Sequence, residues 1–269
     1  MTVALHVTRV GTGTPRVAYL HGLLGQGKNL ATIAKAVAGA EPGLLYDLPN
    51  HGRSPWTDAF GYAAWADAVA ADLRDRLDPA VPISVFGHSM GGKTAMALAL
   101  RHPSLVRGLV VADIAPDDSS HGYGFRRLLR ALREIALDEI QTRADADAAL
   151  AASVREPGVR AFLLQNLHRV PGGGWRWLPN LALLEESLPQ ISGWPAGIHG
   201  PFTRPVLWMR GGDSGYVTDE HAPAMRALFP HARLVTIKHA GHWLHADQPD
   251  AVAGALAVYL AALRPQLNQ

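Results

Sequence analysis

Short runs of β-branched and aromatic residues alternate along this chain with longer stretches whose apolar positions return every three or four residues. The first pattern predicts buried strands and the second amphipathic helices. "ALHVTRV" and "RVAYL" predict the first two strands, with "GTGTP" between them as a hairpin turn. "NLATIAKAVA" predicts a helix and "GLLYDLP" the next strand. From Tyr62 to Leu77, the residues Trp65, Val69, Leu73 and Leu77 stand four apart, which predicts a helix. "PISVF" predicts a strand, "KTAMALALRH" a helix and "LVRGLVVADIAP" another strand. This alternation predicts an α/β fold, a mostly parallel sheet flanked by helices.

The rhythm breaks after Pro116. Between about residues 117 and 200 no run predicts a strand. "FRRLLRALREIAL" sets Phe125, Leu128, Leu129 and Leu132 on one helical face with arginines opposite. "PGVRAFLLQNL" and "NLALLEESL" predict further helices, and "VPGGGWRWLPN" a loop rich in Gly and Trp. Then strand and helix return with "PVLWMR", "HAPAMRALF", "RLVTIK" and a C-terminal helix. The expected division is a core of residues 1–116 and 201–269 with a helical cap, 117–200, inserted into it. Trp175, Trp177 and Trp194 lie in or beside that cap, either lining a pocket or anchoring cap to core.

Composition narrows the class. The chain has 269 residues, 48% hydrophobic and 18% charged, which excludes a disordered protein. A formal charge of +2 on scattered arginines points to neither nucleic acid nor membrane as a partner. The absence of cysteine excludes disulfides, thiol catalysis and Cys-ligated metal. The opening "MTVALHVTRVGTG" lacks the apolar core of a signal peptide, so a cytoplasmic protein is expected. The run "AVAGALAVYLAAL" (251–263) is too short to span a bilayer.

"GHSMGGKT" (87–94) satisfies two unrelated patterns. As G-x-x-x-x-G-K-[ST] it would cradle nucleotide phosphates, with Lys93 and Thr94 as ligands and Asp113 toward a metal. That reading leaves "LHG", "DLPNHGRS" and "HAGHWLH" without a role. As G-x-S-x-G it presents Ser89 as a nucleophile on a tight turn. The N–H of Met90, at a helix start, can then stabilise an oxyanion, with the N–H of Leu23 after an earlier strand as second donor. Lys93 becomes a helix-surface or packing residue. Serine needs a base. Of 13 histidines, His242 is the best placed, following "RLVTIK" with Gly241 to turn the loop. His239 is expected to be a loop residue and His245 to lie at the site's edge.

With "LHGLLGQGKNL", "DLPNHGRS", "GHSMGGKTAMALAL", "VVADIAP", "GGDSGYV" and "GHWLHADQP" in order, the chain resembles the α/β-hydrolase superfamily over nearly its whole length. Within it the likeness is to the branch of small YbfF-type esterases. The resemblance implies ester hydrolysis by a Ser–His–acid triad, with a helical cap after the sixth strand of that family's pattern. In most of the superfamily the acid follows the next strand, here "PVLWMR", three residues beyond a glycine. Counting from Gly211 lands on Ser214, with Asp213 one residue early. In the branch the chain resembles, the acid follows the preceding strand, at Asp113. Asp113 is therefore the expected acid and Asp213 the alternative. The same resemblance puts "DLPNHGRS" near the pocket rim, with Asp47 and Asn50 as turn residues. The expected protein is a serine carboxylesterase for small acyl or aryl esters, a small-molecule substrate that requires neither metal nor organic cofactor. Thioesterase, C–C bond hydrolase, perhydrolase and acyl transferase chemistry can use the same triad, and a non-catalytic receptor can share the fold.

Overall fold

The computed structural model describes residues 3–78, 80–118 and 122–264. The first half of the chain runs β1 (Val7–Val10), β2 (Val17–Leu20), α1 (Ala31–Val37), β3 (Gly43–Tyr46), α2 (Tyr62–Arg76), β4 (Ile83–His88), α3 (Met90–Arg101) and β5 (Val106–Ala112). A helical segment follows, with α4 (Gly122–Arg133), α5 (Arg143–Ala151), α6 (Pro157–Leu164), the strand pair β6 (Leu167–Arg169) and β7 (Trp175–Trp177), α7 (Leu181–Glu186) and α8 (Leu188–Ser192). The chain then closes with β8 (Val206–Gly211), α9 (Ala222–Leu228), β9 (Ala232–Ile237), α10 (Leu244–Asp247) and α11 (Pro249–Ala262). The strand before the helical segment, counted sixth in the family pattern, is fifth in chain order here.

Seven strands form one sheet in the order β1-β3-β2-β4-β5-β8-β9. All pair in parallel except β1, which runs antiparallel beside β3. The expected hairpin between β1 and β2 does not form. Every residue of β2 is buried, as a wholly apolar strand requires, and it sits between β3 and β4. β1 is half-buried or exposed at every residue and takes the edge. One core packs β2, β4 and β5 against α2 and α3, and a second packs the other face against α1 and α11. The first core continues into the helical segment through Leu129, Leu132, Leu163, Leu184 and Leu188.

That segment differs from expectation in three places. "VPGGGWRWLPN" contributes to a hairpin, pairing Leu167 with Trp177 and Arg169 with Trp175. Its strands have three residues each, too few to show a period of two. Gly172, Gly173 and Gly174, all at positive φ, close the turn. The helices α5 and α8 were also unexpected, although Thr142 and Asp145 form a capping box at the start of α5. Five described non-glycine residues have positive φ: Leu24, Asn50, Ser89, Asp113 and His239. Each follows the carboxyl end of a parallel strand, so unusual backbone gathers along one edge of the sheet. No helix among the described residues is long and apolar enough to cross a membrane.

Candidate active site

β4 passes into α3 through Ser89, whose backbone sits at φ 52° and ψ −121°. The flanking glycines are dictated by contact. A Cβ on Gly87 would lie 2.2 Å from the Gly91 carbonyl oxygen. A Cβ on Gly91 would lie 2.3 Å from the Leu20 oxygen and 2.4 Å from that of His21. The turn is thus pressed against the end of β2, where no side chain fits. The Ser89 N–H donates to the Ala112 carbonyl at 2.9 Å, which ties the turn to β5.

The Oγ of Ser89 lies 2.9 Å from Nε2 of His242, on the loop between β9 and α10. Nδ1 of His242 lies 2.9 Å from Oδ2 of Asp113, just past β5. A carboxylate only accepts, so Nδ1 carries the ring proton and Nε2 offers a lone pair to the serine hydroxyl. Asp113 is fully buried. Its Oδ1 accepts from the Gly211 N–H at 2.9 Å and its Oδ2 from the Ser214 hydroxyl. The imidazole is gripped on its face by Tyr216, stacked at 3.6 Å between centroids. His88 Nε2 donates to the His242 carbonyl at 2.7 Å. Burial, reinforced by the neighbouring imidazoles, holds His88 well below the usual histidine range. Burial and His242 push His245 down to about 4, so both neighbours stay neutral near pH 7.

Asp213, the alternative acid, is exposed and has no hydrogen bond to His242 among the described residues; its N–H donates to the Ala240 carbonyl at 2.9 Å. Ser214 stands at the superfamily's usual acid position and instead bonds the Asp113 carboxylate. His239 is an exposed loop residue, and His245 is buried with its ring 4.5 Å from that of His88.

The N–H groups of Leu23 and Met90 find no hydrogen-bond acceptor among the described residues, although both residues are buried. Both line the same space as Ser89. The loop carrying Leu23 is a tight turn in which Gly25 N–H donates to the Gly22 carbonyl at 2.9 Å. His21 holds it at one end, with Nδ1 donating to the Gly22 carbonyl at 2.8 Å and Nε2 accepting from the Leu48 N–H at 3.0 Å. Asn166 holds the other end. It donates from Nδ2 to the Leu24 carbonyl at 2.7 Å and accepts from Gln26 Nε2 at 2.9 Å. Sequence reasoning missed Asn166, because its partners lie some 140 residues away in the chain. Asp47 accepts from the N–H of Gly27 and of Arg53, and Asn50 bridges to Thr57, so both act in turns.

Lys93 is not a phosphate ligand, and of the two other expectations, helix surface or packing, it takes the second. It is completely buried, and its ammonium donates to the carbonyls of Asp117 at 2.7 Å, Gly193 at 2.9 Å and Ser192. These acceptors lie at the two ends of the helical segment. Burial pushes the ammonium down to about 8, against the opposing charges of Asp117 and Asp118. Thr94 donates back along its own helix to the Met90 carbonyl at 3.0 Å. The nucleotide reading therefore has no free ligands. No group of three or more His, Asp or Glu residues among the described residues could hold a metal.

Ser89 stands between two narrow spaces. On the His242 side the walls include His88, Phe162, Trp243 and His245. On the Met90 side they include Tyr62, Ile114, Leu188 and Ile191, and Phe125 of α4 lines both. Trp175, Trp177 and Trp194 line neither. Trp175 lies under the guanidinium of Arg169, 4.9 Å from its ring, and anchors the β6–β7 hairpin.

A family model described as the α/β-hydrolase fold matches residues 15–249. An sn-1-specific diacylglycerol lipase from Mus musculus is 38% identical, covering 92% of this chain and 81% of that protein. The esterase YbfF of Escherichia coli is 36% identical, covering 91% and 92% respectively. A solved marine microorganism esterase superposes with a TM-score of 0.92 at 34% identity, covering 96% of this chain and 99% of that one. Turn, strand order and relatives agree: the chain belongs to the α/β-hydrolase family, in its branch of YbfF-like esterases.

Proposed function

We propose that this esterase-type hydrolase cleaves carboxylic esters of small acyl or aryl groups through a triad of Ser89, His242 and Asp113. The observation that carries the reading is the unbroken chain from Ser89 Oγ through both imidazole nitrogens to a buried carboxylate, each link 2.9 Å long. His242 takes the serine proton as Oγ attacks the ester carbonyl, and Asp113 steadies the resulting imidazolium. The unpaired N–H groups of Leu23 and Met90 receive the oxyanion. His242 then protonates the departing alcohol, leaving an acyl-serine. The same residue next takes a proton from water, whose attack frees the acid and restores Ser89. Residues 117–200 serve as a cap over this site, which Phe125, Leu188 and Ile191 wall from above. The names of the relatives, a lipase and esterases, support ester substrates.

The test is p-nitrophenyl butyrate hydrolysis by wild type, Ser89→Ala and His242→Ala, matched for folding by circular dichroism. Each variant is expected to lose roughly 10⁴-fold or more in kcat. A fluorophosphonate should label the wild type and spare Ser89→Ala. Labelling without ester hydrolysis would redirect the triad to thioesters or acyl transfer. Hydrolysis that survives in Ser89→Ala would overturn the proposal.

A further inference from the structure

Ser89 divides the space around it unequally. On the Met90 side the space is about 30 Å³, room for roughly two heavy atoms. Leu188 and Ile191 of α8 close it, and both are buried. α8 is pinned through its carbonyls. The Tyr62 hydroxyl donates to the Ile191 carbonyl at 2.6 Å, and Lys93 donates to the carbonyls of Ser192 and Gly193. On the His242 side the space beside Ser89 is about 10 Å³, but it shares the walls Asn29, Phe162, Trp243 and His245 with a cavity of about 690 Å³. His242 also lines a second opening of about 390 Å³.

The reaction proposed above assigns the two halves of the ester to these two sides. When the tetrahedral adduct collapses, the C–O bond to the alcohol breaks and the leaving oxygen takes the proton from His242 Nε2. That oxygen must therefore lie within hydrogen-bond reach of the imidazole, on the side that opens outward. The carbonyl oxygen faces the N–H groups of Leu23 and Met90. The acyl chain is left with the side that His242 does not line. We infer that the enzyme selects a short acyl group on a bulky leaving group, with Leu188 and Ile191 setting the acyl length. This inference rests on the triad reading.

Two ester series test it. In the first, p-nitrophenol is fixed and the acyl chain grows from acetyl to octanoyl. In the second, acetate is fixed and the alcohol grows from ethyl to naphthylmethyl. The wild type is expected to lose at least about tenfold in kcat/KM between acetyl and hexanoyl, and to hold or gain across the alcohol series. Leu188→Ala should raise the hexanoyl-to-acetyl ratio about tenfold, the worth of one to two methylenes in an apolar pocket. Ile191→Val, the gentler change, should raise it in the same direction if the first variant folds poorly. A wild type that prefers octanoyl overturns the inference. So does a ratio unmoved in a folded Leu188→Ala or Ile191→Val. Ser89→Ala assayed beside them separates the failures, since surviving activity there condemns the triad and not only the acyl assignment.

Discussion

At the scale of single residues, Asp113 shows what spacing can and cannot reveal. Ser89 and His242 announce themselves locally, one by the glycines its turn requires, the other by a strand end followed by a sharp loop. Asp113 has no such mark. Its ligands are the Gly211 N–H, the Ser214 hydroxyl and His242, from two strand ends far along the chain. Counting from Gly211 leads to Ser214, and only resemblance pointed back to Asp113. The geometry makes the two aspartates separable. Asp113→Asn is expected to lower kcat by about 10³–10⁴, because an amide can present the wrong partner to Nδ1. Asp213→Asn should stay within about twofold of wild type. Ser214→Ala removes a hydrogen bond to a charged acceptor, an interaction worth about 1.5–3 kcal/mol of which only part reaches the transition state. Its expected loss is therefore about tenfold or less. Steady-state kinetics on one p-nitrophenyl ester decides all three.

At the scale of elements, α3 was legible as a helix but not as a buried one. Residues Met90 to Ala99 are buried on every side, and a helix apolar all round belongs in a core. That pattern could have warned that Lys93 would not reach solvent. The lysine instead joins α3 to both ends of the helical segment. Its linkage to pH has a definite sign. In the folded chain the ammonium gives up its proton near 8, and in the unfolded chain near about 10.4. Between these values the unfolded state binds more protons, so stability rises with pH across the window. Wild type measured against Lys93→Met by urea denaturation should therefore gain about 3 kcal/mol from below pH 8 to above pH 10.4. A flat difference would mean that the three carbonyls hold the charged form as well as water does. The elements that sequence reasoning missed, β6, β7, α5 and α8, are short. Their periodicity had too few residues to register; glycines marked the hairpin, a capping box α5 and a proline in the first turn α8.

At the scale of the whole molecule, the layered sheet was legible because strand and helix periods alternate so regularly, whereas the order of strands at its edge was not. What couples the layers is also non-local. Asn166, between α6 and β6, holds the Leu24 carbonyl and so fixes the loop that carries Leu23. Asn166→Leu should lower kcat about tenfold with a smaller change in KM, since it loosens an oxyanion donor rather than the binding walls. A raised KM at unchanged kcat would assign it to binding. The five non-glycine residues of positive φ lie along one edge of the sheet, each at a cost of about 1–3 kcal/mol, a sum comparable to the net stability of an ordinary domain. Ser89 and Asp113 carry this burden for the proposed chemistry. His239 is exposed, at φ 56°, and its only hydrogen bond among the described residues uses its backbone carbonyl. His239→Gly should raise the melting temperature, with a gain of up to about 1 kcal/mol after the added freedom of the unfolded chain, and leave ester turnover intact. The fold thus holds an untapped reserve of thermostability beside its reacting centre, open to engineering at the one strained position that neither chemistry nor packing requires.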